Sequence, residues 1–216
     1  MKLSPVAATA LALVIASLLC SVLLYDKLPD PVPTHFDAMG SANGFTPKPI
    51  GAFVLPLILA FVGLILSIVP RISPNKDFAI NFPRVYATIA ISILIFVFGA
   101  GTLALFNAMG YRFNVTRVIF PALGVLFVVL GNYMGKLTRN FFVGIRTPWT
   151  LASDEVWLRT HRVGGPLFVL AGIVTIIAGA VLKPELAPIV LIAVVASVSL
   201  FLVAYSYVLY KRIERF

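Results

Sequence analysis

The sequence predicts an all-α polytopic membrane protein, a bundle of six transmembrane helices with the N and C termini in the cytoplasm. The first observation behind this is composition: of 216 residues, 60% are hydrophobic and only 12% charged, with a mean hydropathy of +1.02. Soluble domains run about 45–50% apolar and about 25% charged. So few charges cannot cover so much apolar surface, and lipid is the solvent most of this chain requires. The second observation is six apolar runs, each free of Asp, Glu, Lys, Arg and His. The third is an uneven distribution of Lys and Arg between alternate loops.

A bilayer core of about 30 Å is crossed by about 20 helical residues. The first run, Pro5 to Tyr25, is longer than the apolar core of a cleavable signal and passes directly into Tyr25-Asp26-Lys27, so it reads as an uncleaved span. The second is Ile50 to Val69, the third Val85 to Ala108, and the fourth, somewhat short, Val118 to Met134. The fifth is Val163 to Leu182 and the sixth Ala187 to Tyr210. Tyr25, Tyr111, Tyr133 and Tyr210 lie at or near span ends, where interfacial aromatics belong. Gly131 and Gly135, with Gly124 one heptad earlier, offer small-residue spacing for close helix packing inside the bundle. No linker, low-complexity tract or repeat divides the chain, so residues 1–216 form one domain.

Orientation follows from the charges. One set of loops and ends holds Lys2, Arg71, Lys76, Arg84, Lys136, Arg139, Arg146, Arg159, Arg162, Lys211, Arg212 and Arg215, which is twelve. The other holds Lys27, Lys48, Arg112, Arg117 and Lys183, which is five. The positive-inside rule puts the richer set in the cytoplasm, so the loop of residues 26–49 faces outward and that of residues 135–162 faces inward. The net charge of +9 is thus topological, with no basic soluble face for nucleic acid. Cys20 is the only cysteine, which excludes an internal disulfide and a CxxC pair.

Chemistry is confined to those two loops. In the outward loop, Pro29, Pro31 and Pro33 predict an extended polyproline-like rise, and Gly40 with Asn43-Gly44 a tight return through positive φ. The tip offers His35, Phe36, Asp37, Met39 and Phe45, a mixed aromatic and polar surface suited to a peptide or a lipid headgroup. His35 and Asp37 alone make a poor metal site, since zinc wants three or four ligands, and no metal or cofactor is expected.

The inward loop reads Gly144-Ile-Arg-Thr-Pro-Trp-Thr150 and then Ser153-Asp-Glu-Val-Trp-Leu-Arg-Thr-His161. Pro148 biases Thr147 away from helical geometry, predicting a bend. Ser153 is a good N-cap for a helix that lies along the headgroups and runs into the fifth span. That helix puts Trp157 and His161 on one face and pairs Glu155 with Arg159 on another. Arg146, beside Pro148 and Trp149, reads as an anchor on a phosphate or a protein carboxylate. No HExxH, GxSxG, phosphate loop or cysteine–histidine pair is present, and no residue is assigned a catalytic role.

The segment Leu28-Pro-Asp-Pro-Val-Pro-Thr-His-Phe-Asp-Ala-Met-Gly40, followed by Lys48 and a second span, resembles the DUF1648 family across residues 5–70. The segment from Gly144 to Gly165, with Arg146, Pro148, Trp149, Trp157 and His161 in register, resembles the SdpI family of bacterial membrane immunity proteins across residues 118–210. The resemblance implies a multi-pass protein of the bacterial inner membrane that protects against a secreted peptide toxin and signals by sequestering a cytoplasmic repressor. It implies toxin recognition around Pro33, His35, Phe36, Asp37, Gly40 and Phe45. It implies a signalling face at Gly144, Arg146, Thr147, Pro148, Trp149, Thr150, Trp157 and His161. The competing class is a small-molecule or peptide transporter. Coupled transporters carry intramembrane ionisable groups, and these six runs have none.

Overall fold

The computed structural model describes residues 3–37, 39–73, 83–111 and 113–213. Lys2, Lys76, Arg112 and Arg215, four of the cations used to assign orientation, lie outside the described residues. Six helices are long and apolar enough to cross a membrane. The chain is α1 (Pro5–Leu24), a 3-10 turn (Tyr25–Lys27), β1 (Val32–Phe36), β2 (Ala42–Thr46), α2 (Lys48–Gly51), α3 (Val54–Ile72), α4 (Pro83–Ala108), α5 (Val115–Met134), α6 (Pro148–Ala152), α7 (Asp154–Val181) and α8 (Leu186–Ile213).

Local chemistry sets several boundaries. Ser4 caps α1 by accepting from the Ala7 N–H at 3.2 Å, with Pro5 at the first helical position. Asn114 caps α5 by accepting from the Arg117 N–H at 3.0 Å, which starts that helix three residues before the expected Val118 and makes it 20 residues long. At the same end of α5, the Arg117 guanidinium donates to the Ala180 carbonyl near the end of α7, a favourable place for a cation.

The helices gather in two groups of three. In the first, α1, α3 and α4 close around a core that includes Val6, Ala10, Leu55, Leu59, Ala90 and Leu94, with Leu28 and Val32 of the outward loop plugged into its end. In the second, α7 packs on α5 and α8, and α4 against α5 joins the groups. The α5–α7 seam is the tightest. A Cβ built on Gly124 would lie 2.5 Å from the Gly172 carbonyl, and one on Gly131 would lie 2.6 Å from that of Gly165. The expected glycine packing is therefore real at Gly124 and Gly131. Gly135 is looser, its nearest neighbour being Arg162 at 3.9 Å.

Six consecutive spans put the β1–β2 hairpin and the loop between α5 and α7 at opposite ends of the bundle. Two contacts mark the hairpin end: Gly40 lies against the backbone of Val115 at the start of α5, and Arg117 reaches the end of α7.

Candidate functional site

The hairpin end is built on a two-stranded antiparallel sheet, with Val32 opposite Thr46 and Pro33 opposite Phe45. This corrects the expected polyproline rise, because Pro33 belongs to β1. It also corrects the expected return at Asn43-Gly44, since both residues lie inside β2 and Gly44 has no positive φ. The turn is instead Asp37–Ser41. Asp37 Oδ1 accepts from the N–H groups of Met39 and Ser41, each at 2.9 Å, and Gly40 takes φ +81°. Gly44 is small for another reason: a Cβ there would meet the His35 Cβ at 2.7 Å.

His35 and Asp37 are engaged separately. The His35 Nδ1–H donates to Asn43 Oδ1 at 2.6 Å, across the strands. Phe45 and Met39 are left as the apolar display, 58% and 55% exposed. Phe36 is half-buried.

The other end is held more firmly. Trp157, 2% exposed, donates from Nε1 to the Leu137 carbonyl at 2.7 Å and stacks on His161 with ring centroids 4.0 Å apart. The Ile145 N–H donates to His161 Nε2 at 2.9 Å. With Nε2 accepting, the proton sits on Nδ1, which donates to the Trp157 carbonyl at 2.8 Å. His161 is therefore a neutral, fully buried clasp that ties the loop to α7.

Gly144 makes the clasp possible. Its φ is +116°, and a Cβ at this position would fall 2.4 Å from His161 Nε2. Asn140, buried and absent from the expected set, satisfies the rest of the turn. Its Oδ1 accepts from the Phe142 and Val143 N–H groups at 2.9 and 2.7 Å, and its Nδ2 donates to the Thr138 and Val143 carbonyls. An Asn before a Gly-containing turn is the signal that could have found it.

Thr147 is extended, as Pro148 requires, but the residues after it form a one-turn helix, α6, where a bend was expected. Thr147 Oγ1 accepts from the Thr150 N–H at 3.1 Å, while Thr150 Oγ1 accepts from the Thr147 N–H at 2.9 Å. Two threonines thus make a reciprocal cap that the sequence pattern for such boxes, with Glu or Gln third, does not flag. Thr147 also reaches Ser206 of α8 at 3.0 Å, and Trp149 packs on Tyr207 of the same helix.

The helix after Ser153 runs into the fifth span as expected: it is the first part of a continuous 28-residue α7, and Glu155 pairs with Arg159. Arg146 is exposed and donates to the Phe141 carbonyl at 2.6 Å. A salt bridge at this corner joins Arg139 to Asp154 at 2.8 Å.

Residues 136–206, which hold all of this assembly but Tyr207, match the SdpI/YfhL protein family. That stretch is similar to the SdpI/YfhL family. Residues 12–60, spanning the hairpin, match DUF1648, a domain of unknown function. The chain is 27% identical over 165 residues to a Bacillus subtilis (strain 168) protein named immunity protein SdpI, a match that covers 76% of this chain and 77% of the relative. No solved structure matches. Six apolar helices and this similarity make it a multi-pass protein of the bacterial membrane.

Proposed function

We propose that this chain is a membrane immunity protein that protects a bacterium from a secreted peptide toxin and reports toxin engagement to a cytoplasmic repressor. In this reading the protein sits in the inner membrane with both termini inside. The hairpin, with Pro33, His35, Phe36, Asp37, Gly40 and Phe45, lies near the toxin. The clasped loop, with Gly144, Arg146, Thr147, Pro148, Trp149, Thr150, Trp157 and His161, lies near the repressor. No bond is made or broken, and no residue is given a catalytic role.

The observation that carries the reading is a coincidence. The most elaborately hydrogen-bonded part of the molecule, Leu137 to His161, falls within the segment matching the SdpI/YfhL family. A relative named an immunity protein supports the choice of activity. The two-ended architecture suits a receptor, which needs a surface at each water boundary and a bundle able to shift between arrangements.

The direct test is to express the chain in a sensitive bacterium and challenge it with a membrane-active killing peptide from a neighbouring gene. Survival that persists when the proton gradient is collapsed supports binding or sequestration. Protection that vanishes with the gradient supports export and rejects this reading. Signalling is tested separately by co-fractionation. Arg146→Ala, which changes an exposed side chain bonded only to its own loop, should release the repressor from membranes while leaving protein abundance unchanged. Repressor that stays membrane-bound removes Arg146 from the signalling face.

A further inference from the structure

At the loop end the α5–α7 seam opens. A Cβ built on the glycines around Gly124 and Gly131 would meet the facing backbone at 2.5–2.8 Å, whereas one on Gly135 meets nothing closer than 3.9 Å. The opening is a groove of about 470 Å³. Its mouth carries Asn132, Lys136 and Arg162, and its floor carries Val169, Leu170 and Ile173. No acidic residue lines it. The salt bridges among the described residues use Arg139 and Arg159, and leave Lys136 and Arg162 without a carboxylate partner. Lys136 rests over the Tyr133 ring, at 4.9 Å.

Two exposed cations above an apolar floor, at a membrane boundary, match one kind of molecule. Leu170 and Ile173 are 57% and 45% exposed, on the flank that faces lipid. A free anion would satisfy the mouth and leave that floor uncovered. A neutral lipid would cover the floor and leave two cations without a counter-charge. We propose that this groove is a binding site for one anionic phospholipid, with its phosphate at Lys136, Arg162 and Asn132 and an acyl chain along Val169, Leu170 and Ile173. His161 of the clasp also lines the groove, so the lipid braces the helix end from which the clasped loop leaves. The inference stands apart from the immunity reading and can fail without it.

The test uses the full chain in neutral detergent, mixed with equal amounts of phosphatidylglycerol and phosphatidylcholine, with retained lipid read by native mass spectrometry. The chain should keep one phosphatidylglycerol with a preference of about tenfold. Lys136→Gln with Arg162→Gln should bring the preference close to parity. Lys211→Gln with Arg212→Gln, which neutralises two cations at the end of α8 outside the groove, should leave it intact. Gly135→Leu fills the opening with both cations in place and should also reduce retention, with folding followed by circular dichroism melts. Equal losses from both charge pairs would mean diffuse surface attraction and overturn the site. Full retention by Gly135→Leu would overturn the groove, and displacement by inorganic phosphate would identify a free anion as the ligand.

Discussion

Gly144, His161, Trp157 and Leu137 form one chain of dependence, in which each residue fixes the next. The positive φ of Gly144 lets the Ile145 N–H face the imidazole, the imidazole stacks on the indole, and the indole N–H closes on Leu137. Gly144→Ala puts a methyl group on His161 Nε2 and strains the backbone at once. The expected cost is about 2–4 kcal/mol, the sum of a strained φ and a broken buried hydrogen bond. A thermal melt in detergent checks it, and an unshifted midpoint would dissolve the clasp. Sequence reasoning placed Trp157 and His161 on one face from their spacing of four, and the stacking bears this out. Leu137 and Ile145 are not legible in the sequence, because each contributes a backbone group that apolar patterning does not report. At the hairpin, His35 likewise found a partner, Asn43, that was read as part of a turn.

Between helices, glycine is decisive where it touches backbone and irrelevant where it does not. A Cβ on Gly172 would lie 2.5 Å from the Gly124 carbonyl and one on Gly99 would meet nothing within 4 Å, so the same substitution has opposite effects at the two positions. Gly172→Ala forces α5 and α7 apart and is expected to lose about 1–3 kcal/mol. Gly99→Ala removes a helix-interior glycine at no steric cost and is expected to be neutral or to gain up to about 1 kcal/mol. Paired melts of the two variants are the measurement, and equal shifts would show that the seam does not hold the bundle. The six helices were legible because lipid demands long uncharged runs, and the observed helices contain or closely match all six. A boundary moved where a cap intervened: Asn114 lengthened α5, whereas α7 starts after Ser153 as its capping residues predict.

The whole molecule is asymmetric from end to end, with an apolar display on the hairpin and a buried clasp at the other boundary. Single cysteines introduced at Ser41 and at Thr138, in a Cys20→Ser background, should react with a membrane-impermeant maleimide from opposite sides. Labelling of both from the same side would contradict the alternating spans. Labelling of position 138 from outside and position 41 from inside would keep the bundle and reverse the orientation drawn from the loop charges.

Composition and the six uncharged runs by themselves determined that this chain lives in lipid as a helical bundle, because the bilayer penalises every charge and every unpaired backbone group within about 30 Å. They also confined polar chemistry to two loops. Only tertiary structure decided what those loops are: a hairpin whose His35 and Asp37 serve separate hydrogen bonds, and a loop locked by His161. The physical reason is range. Hydropathy is a property of each residue and survives in a linear string, whereas a hydrogen bond from Ile145 to His161 or from Thr147 to Ser206 exists only once the helices have met.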